Sequence, residues 1–159
     1  MVNQSIFIRP AEARDAQCVG RLAGEFAEYL RSLGDRSEFK LNAGTFLRDG
    51  FGERPGFAGI VAEEHGRVVG YLLYHFGYDS DAAERTLHVA DLYVQSAARK
   101  RGVGRALMKA AAGIAREAGV GEMIWSVYRD NGLAADFYEK LGAQRITEVF
   151  FMKVRADGI

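Results

Sequence analysis

Between residues 94 and 109 the chain brings together two glycines, Gly102 and Gly104, and five cations. The cations are Arg99, Lys100, Arg101, Arg105 and Lys109, with no acidic residue among them. The window opens where a β-prone run ends at Val94 and closes on a helical pattern. Glycines at such a junction let backbone N–H groups approach an anion, and the helix dipole adds to the attraction. In a chain without net charge, uncompensated cations beside such a loop point to a ligand carrying several phosphates. Taken alone, the same residues also read as a basic helix start whose glycines serve the turn. Neither the phosphate-binding pattern ending in Gly-Lys-Ser/Thr nor the three-glycine dinucleotide fingerprint is present.

Acidic residues gather elsewhere. Asp79, Asp81, Glu84 and Asp91 share a stretch in which Arg85 is the sole full positive charge. With Glu28, Asp35 and Glu38 they suit an acidic mouth for a cationic amine, or a set of solvated loop charges. Cys18 and Trp125 read as core residues, and His65, His75 and His88 as strand or turn residues.

The elements that must position these groups follow from period and punctuation. Ile6 to Ile8 suggests a first strand. Asp15 is placed to cap a helix reaching Leu33, because Val19, Leu22, Phe26, Leu30 and Leu33 recur at helical spacing. Asn42 is placed to cap a shorter helix ending near Gly50 to Gly52. Residues 57–64 and 67–78 flank His65-Gly66 as a hairpin, and residues 86–94 form another strand. Val103, Ala106, Leu107, Ala110, Ile114 and Ala118 mark one face of a long helix. A strand over residues 123–127 and a helix from Asn131 to Leu141 come next, with Gly142 at its carboxyl-terminal cap. Ile146 and residues 149–154 predict one or two closing strands. The order predicts an α/β (α+β) fold, a mixed and mostly antiparallel sheet with a parallel pair where the long helix crosses.

Composition bounds the rest. A chain of 159 residues suggests one domain, here taken as 1–159, able to bury about two-thirds of its unfolded surface. Apolar residues are 48% and charged residues 26%, which excludes wholesale disorder. Lys plus Arg and Asp plus Glu are both 21, so no basic excess argues for nucleic acid. A single cysteine makes no internal bridge and fits a reducing compartment. No apolar run approaches the roughly 20 residues needed to span a bilayer, and residues 1–10 carry no signal pattern. A cytoplasmic protein without membrane, nucleic-acid or metal partners is expected.

The run Arg99-Lys100-Arg101-Gly102-Val103-Gly104 resembles the Arg/Gln-x-x-Gly-x-Gly/Ala signature of the GNAT superfamily of acyl-CoA-dependent N-acyltransferases. Asn131-Gly132-Leu133-Ala134-Ala135-Asp136-Phe137-Tyr138-Glu139-Lys140-Leu141-Gly142-Ala143 resembles its second signature region, with an asparagine, a tyrosine and Leu-Gly-Ala. The element order is also similar over nearly the whole chain. Asp49 to Pro55, Tyr74 to Asp79 and Ala90-Asp91-Leu92-Tyr93-Val94 resemble the spermidine/spermine and thialysine branch in particular.

That resemblance implies acetyl transfer from acetyl-CoA to a primary amine of a small cationic acceptor, in a homodimer. It implies that the turn at Arg101, Gly102, Val103, Gly104 and Arg105 holds the CoA pyrophosphate, with Arg99 and Lys100 beside it. The pantetheine arm is expected between splayed strands, with Asn131 and Ala134 on the donor side. A backbone N–H at Leu92, Tyr93 or Val94 would polarise the thioester. Tyr138 corresponds to the general acid, Tyr29 to a substrate-side tyrosine, and Asp79 and Asp91 to the acceptor side. An acceptor on a protein or peptide, or a weakly catalytic acyl-CoA-binding domain, are the alternatives.

The base is where the chain departs from the branch, which has a glutamate immediately before the aspartate of the Asp-Leu-Tyr-Val segment. Here Ala90 stands there, and a methyl group neither accepts a proton nor orders a water. Strict strand alternation turns Asp91 to the opposite face and leaves His88 on the face of Ala90, where it is either a base acting through water or a plain strand residue, so the base stays unassigned. An alkylamine of pKa ~10.4 is neutral in about one molecule in 2,500 at pH 7, a cost of roughly 4.6 kcal/mol. Without a base, log kcat/KM is expected to rise with near-unit slope from pH 7 towards 9, and Ala90→Glu to raise activity near neutrality.

Overall fold

In the computed structural model, which describes residues 6–159, strand β1 (Phe7–Pro10) leads into helices α1 (Ala16–Ser32) and α2 (Ala43–Phe51). Strands β2 (Ala58–Glu64), β3 (Arg67–Asp79) and β4 (Glu84–Val94) follow, then α3 (Val103–Glu117), β5 (Glu122–Ile124) and α4 (Gly132–Glu139). The five strands lie in chain order in one sheet. Neighbours are antiparallel except β4 and β5, which run parallel across the α3 crossover. The amino-terminal pattern read from the sequence falls partly on residues 1–5, outside the described residues.

Local chemistry sets the boundaries. The Asn42 side chain accepts from Thr45 N–H at 3.0 Å and starts α2. Between β2 and β3, His65 and Gly66 take φ of 50° and 73°, the two left-handed residues that a tight hairpin with native twist requires. At the far corner Arg9 of β1 binds Asp15 and Glu63 through 2.6–2.9 Å hydrogen bonds, tying β1, β2 and the start of α1 together.

The sheet is covered on both faces. Helix α3 buries Val103, Leu107, Met108, Ala111 and Ala115 against Leu72, Leu87 and Val89. On the other face α1 and α2 bury Val19, Leu22, Ala23 and Phe46 against Val61, Tyr71, Leu73 and Tyr93. Cys18 packs at the margin of this second core.

The ladder between β3 and β4 carries one irregularity. Leu73 pairs with Asp91 and Tyr74 with Val89, so Ala90 opposes no residue of β3. This is a bulge, and it resets the alternation of β4 by one residue. Before it, Leu87 and Val89 face the α3 core; after it, Leu92 and Val94 do. Asp91 and Tyr93 therefore face the α1 side, as His88 does before the bulge. Strict alternation misplaces Asp91.

Two expectations fail at the far edge. The strand expected over residues 123–127 forms only as Glu122–Ile124, pairing with Thr86, Leu87 and His88. The closing strands at Ile146 and residues 149–154 are not strands. That segment is irregular and exposes Val149, Phe150, Phe151, Met152 and Val154. β-propensity needs an edge to pair with, and a three-residue β5 offers almost none.

Candidate active site

Beyond His88, β4 keeps its ladder to β3 but loses β5, and the two parallel strands part. The gap is a cleft of about 990 Å³. Residues 89–94 of β4 line one side and residues 125–128, after β5, line the other; α1, the start of α3 and α4 close it. Along this free edge no strand among the described residues takes up the backbone donors and acceptors of β4, although Arg99 takes the Val94 carbonyl.

The start of α3 forms one part of the lining. Gly102 caps the helix at φ 88°, a left-handed conformation that other residues adopt only with strain, and Lys100 before it has φ 60°. Gly104 is closely approached: a Cβ there would stand 3.1 Å from Phe137 Cζ of α4. Gly102, Val103, Gly104 and Arg105 all border the cleft, and the first-turn N–H groups of a helix have no intrahelical partner.

The cations do not act as one group. Arg99, Lys100 and Arg105 line the cleft; Arg101 and Lys109 do not. Arg101 donates to Glu64 at 2.6 Å, so the five charges are not all uncompensated, as their local window suggests. The acid lies 37 residues away in sequence, beyond any such window. Arg99 donates Nε–H to the Val94 carbonyl at 2.9 Å and stacks its guanidinium on Tyr29 and Tyr93, 5.1 and 5.2 Å from the ring centres. It props the α1 side of the cleft.

Tyr138 enters from α4, packed against Trp125 and Phe137 with ring centres 5.0 Å away in each case. Burial, and secondarily the charge of Asp91, push its phenol up to about 12. At neutral pH it is a protonated donor. Asn131 is buried at the start of α4, where its Oδ1 accepts from Ala134 N–H at 3.2 Å and from the Tyr29 hydroxyl at 2.9 Å. Tyr29, Asn131 and Ala134 all line the cleft, and the tyrosine bridges α1 to α4 across it.

Of the acidic residues described, the cleft receives only Asp91 and Glu38. Asp79, Asp81 and Glu84 sit at the β3–β4 turn, where Asp79 Oδ1 accepts from the N–H groups of Asp81 and Ala82. Asp79 is a turn-closing residue outside the cleft lining, not part of it as expected. His88 is also outside; it packs against His75 at 4.7 Å, and burial, then His75, lower its pKa.

Asp91 has the most perturbed carboxyl of the site. Its Oδ2 accepts from the hydroxyl of Tyr71 at 2.6 Å, and Tyr71 is fully buried on β3. Burial raises the Asp91 carboxyl from its ordinary 3.8 to about 6, against the opposing hydrogen bonds of Tyr71 and the Leu92 N–H. Tyr71 escapes sequence reading because it resembles any apolar strand residue. Its signal is a cross-strand partner, visible only once the register is known.

A raised carboxyl pKa means that folding favours the protonated form. The stability so contributed is fully present below pH 3.8 and is lost as pH rises through about 6. Asp91→Asn, which keeps an acceptor for Tyr71, should therefore be more stable than the parent at pH 8 and show little difference at about pH 3.5. Carboxyl carbon NMR should find Asp91 titrating near 6. A midpoint at or below about 4, with no pH-dependent stability gain in the variant, would contradict the burial of this carboxyl.

The model of the acetyltransferase (GNAT) family matches residues 21–143. A bovine thialysine N-epsilon-acetyltransferase is 35% identical over 151 residues, covering 90% of this chain and 86% of that one. A human spermidine/spermine N(1)-acetyltransferase-like protein is 32% identical over 86% of this chain, though over only 20% of its own length. Among solved structures, an integron cassette protein from V. cholerae superposes with a TM-score of 0.79 at 26% identity, over 98% of this chain and 96% of that one. The matched region takes in the cleft's helix start, its free strand edge and Tyr138, and the chain belongs to the GNAT family of acetyltransferases as an N-acetyltransferase, with acetyl-CoA the donor that the family implies.

Proposed function

We propose that the protein acetylates a primary amine of a small cationic acceptor, of the polyamine or thialysine kind, by direct attack and with no covalent enzyme intermediate. The observation that carries this reading is the division of one cleft lining into a cationic glycine turn and a carboxylate-bearing strand. The first suits a polyphosphate donor and the second a cationic acceptor. The names of the bovine and human relatives support the acceptor class.

The residues present fit the donor. The N–H groups at Val103, Gly104 and Arg105 would hold the pyrophosphate, with Lys100 and Arg105 neutralising it. Arg101, held by Glu64, contributes main chain rather than charge, and Arg99 contributes support. On the free edge the Leu92 carbonyl and the Val94 N–H would take the hydrogen bonds of the arm, Tyr93 turning its main chain to Tyr71 of β3, and Asn131 and Ala134 border the same side. Bound there, acetyl-CoA supplies an activated acetyl group. Tyr138 then serves the departing sulfur. With its pKa near 12 against ~8.5 for an ordinary thiol, full transfer is uphill by roughly 5 kcal/mol. The phenol therefore acts as a strong hydrogen-bond donor whose proton moves late, and regains a proton from the newly formed amide nitrogen.

A homodimer belongs to the same proposal. Phe150, Phe151 and Met152 are 83%, 78% and 85% exposed in one continuous run, and a second copy is the occupant that would cover them. Light scattering should give twice the 17.5 kDa chain mass, and Phe151→Lys should shift it toward the monomer. A monomer at high micromolar concentration ends the dimer proposal.

Gly102→Asp puts a carboxylate at the anion site for a modest strain cost of about 1–2 kcal/mol. Calorimetry should show acetyl-CoA binding abolished in a folded variant; unchanged affinity removes the phosphate assignment. Tyr138→Phe keeps the packing and deletes the hydroxyl. Its turnover should fall about 10²-fold with little change in CoA affinity. Wild-type turnover would make Tyr138 a packing residue. An amine panel decides the acceptor class: if acetyl-CoA binds and no amine is turned over at any pH, the acyl-CoA-binding alternative holds.

A further inference from the structure

We infer that Asp91, turned into the cleft by the bulge at Ala90 and pinned by Tyr71, is the proton acceptor for the incoming ammonium, with Tyr71 its positioning residue. This rests on the acetyl-transfer reading of the cleft. It assigns to position 91 the task that Ala90 leaves without a side chain.

Two carboxylates among the described residues line the cleft, and they are unlike. Glu38 is exposed and already paired with Lys40 at 3.2 Å, so water screens it. Asp91 pairs with no cation among the described residues. Its donors are the Tyr71 hydroxyl and the Leu92 N–H, and an ionised carboxylate has about four acceptor sites. Capacity remains for an ammonium. The surrounding charged and titratable groups are Tyr93 on β4, Tyr71 on β3, Tyr29 and Glu25 on α1, and Glu38 and Lys40 after α1. Arg99, Lys100 and Arg105 at the start of α3, Tyr128 after β5, and Tyr138 and Lys140 at α4 are the remaining titratable groups of the lining. Arg99 is spent on Val94 and two tyrosine rings rather than on Asp91.

The step balances. The ammonium gives one proton to Asp91 and becomes a neutral amine. Its lone pair forms the C–N bond at the thioester carbon, the C–S bond breaks with its pair on sulfur, and sulfur takes the Tyr138 proton. Tyr138 recovers a proton from the nitrogen, and Asp91 releases its own to solvent. A carboxyl near 6 rather than 3.8 favours the first transfer about a hundredfold and still leaves Asp91 ionised at pH 7. Asp91 also holds up the pKa of Tyr138, so protonating the base makes the phenol a readier donor.

The pH profile tests this. For an alkylamine, log kcat/KM of the parent should rise to a midpoint near 6 and level above about pH 7, in place of the unit slope to pH 9 expected from Ala90 alone. Asp91→Asn should lower kcat at pH 7 by about 10²-fold or more and restore the unit slope. Tyr71→Phe removes a hydrogen bond that favours the ionised carboxyl, so the acidic limb should move to higher pH while the plateau survives. Binding of acetyl-CoA by calorimetry should be unchanged in both variants. If Asp91→Asn keeps the limb and the turnover, or if the parent has no plateau and Ala90→Glu raises its neutral activity, the assignment is wrong while acetyl transfer stands. Absence of turnover in the parent itself strikes the underlying reading instead.

Discussion

A parallel strand pair that holds for three residues and then parts is the constraint on which the site depends. Where Thr86, Leu87 and His88 meet Glu122, Met123 and Ile124, the ladder is closed and the α3 core is continuous beneath it. Past that point β4 is secured from one side only, by its long ladder to β3. Its other edge would be a liability in a closed sheet, since unpaired main-chain groups cost free energy when buried. Here the unpaired edge lines the cleft and is bordered by the amino-terminal turn of α3. The crossover helix that makes the pair parallel also delivers its own dipole to the mouth of the gap. Fold and cleft come from the same topological fact.

The bulge at Ala90 is the second device. Within one strand it lets Leu87 and Val89 serve the α3 core and Asp91 and Tyr93 serve the cleft. A regular strand could not give both adjacent stretches what they need without putting a carboxylate into the apolar layer. The buried hydroxyl of Tyr71 then helps hold a half-buried carboxylate at the cleft wall, since an ionised group partly withdrawn from water needs hydrogen-bond partners.

Legibility in the sequence follows range. The hairpin at His65-Gly66, the caps at Asn42 and Asn131, the glycine turn and the helix carrying Tyr138 depend on neighbours a few residues apart, and all can be read. Interactions between distant segments cannot. Arg101 and Glu64, Tyr29 and Asn131, Arg99 and Tyr29, and Tyr71 and Asp91 are 37, 102, 70 and 20 positions apart respectively. Asp79 reads as an acceptor-side residue because it is close in sequence to Asp91, but β3 and β4 are long and carry the turn away from the cleft. Residues 149–154 have the composition of a strand and lack an edge, so propensity alone misleads there.

Gly104 shows how closely the two ends of the site are joined. The ring that crowds it is Phe137, whose chain neighbour is Tyr138. An added methyl would stand 3.1 Å from that ring, so Phe137 would have to give by a few tenths of an ångström. The demand for glycine here thus comes from inside the protein. The turn that opens α3 and the helix that carries Tyr138 are packed against each other, so a change to either is felt by the other.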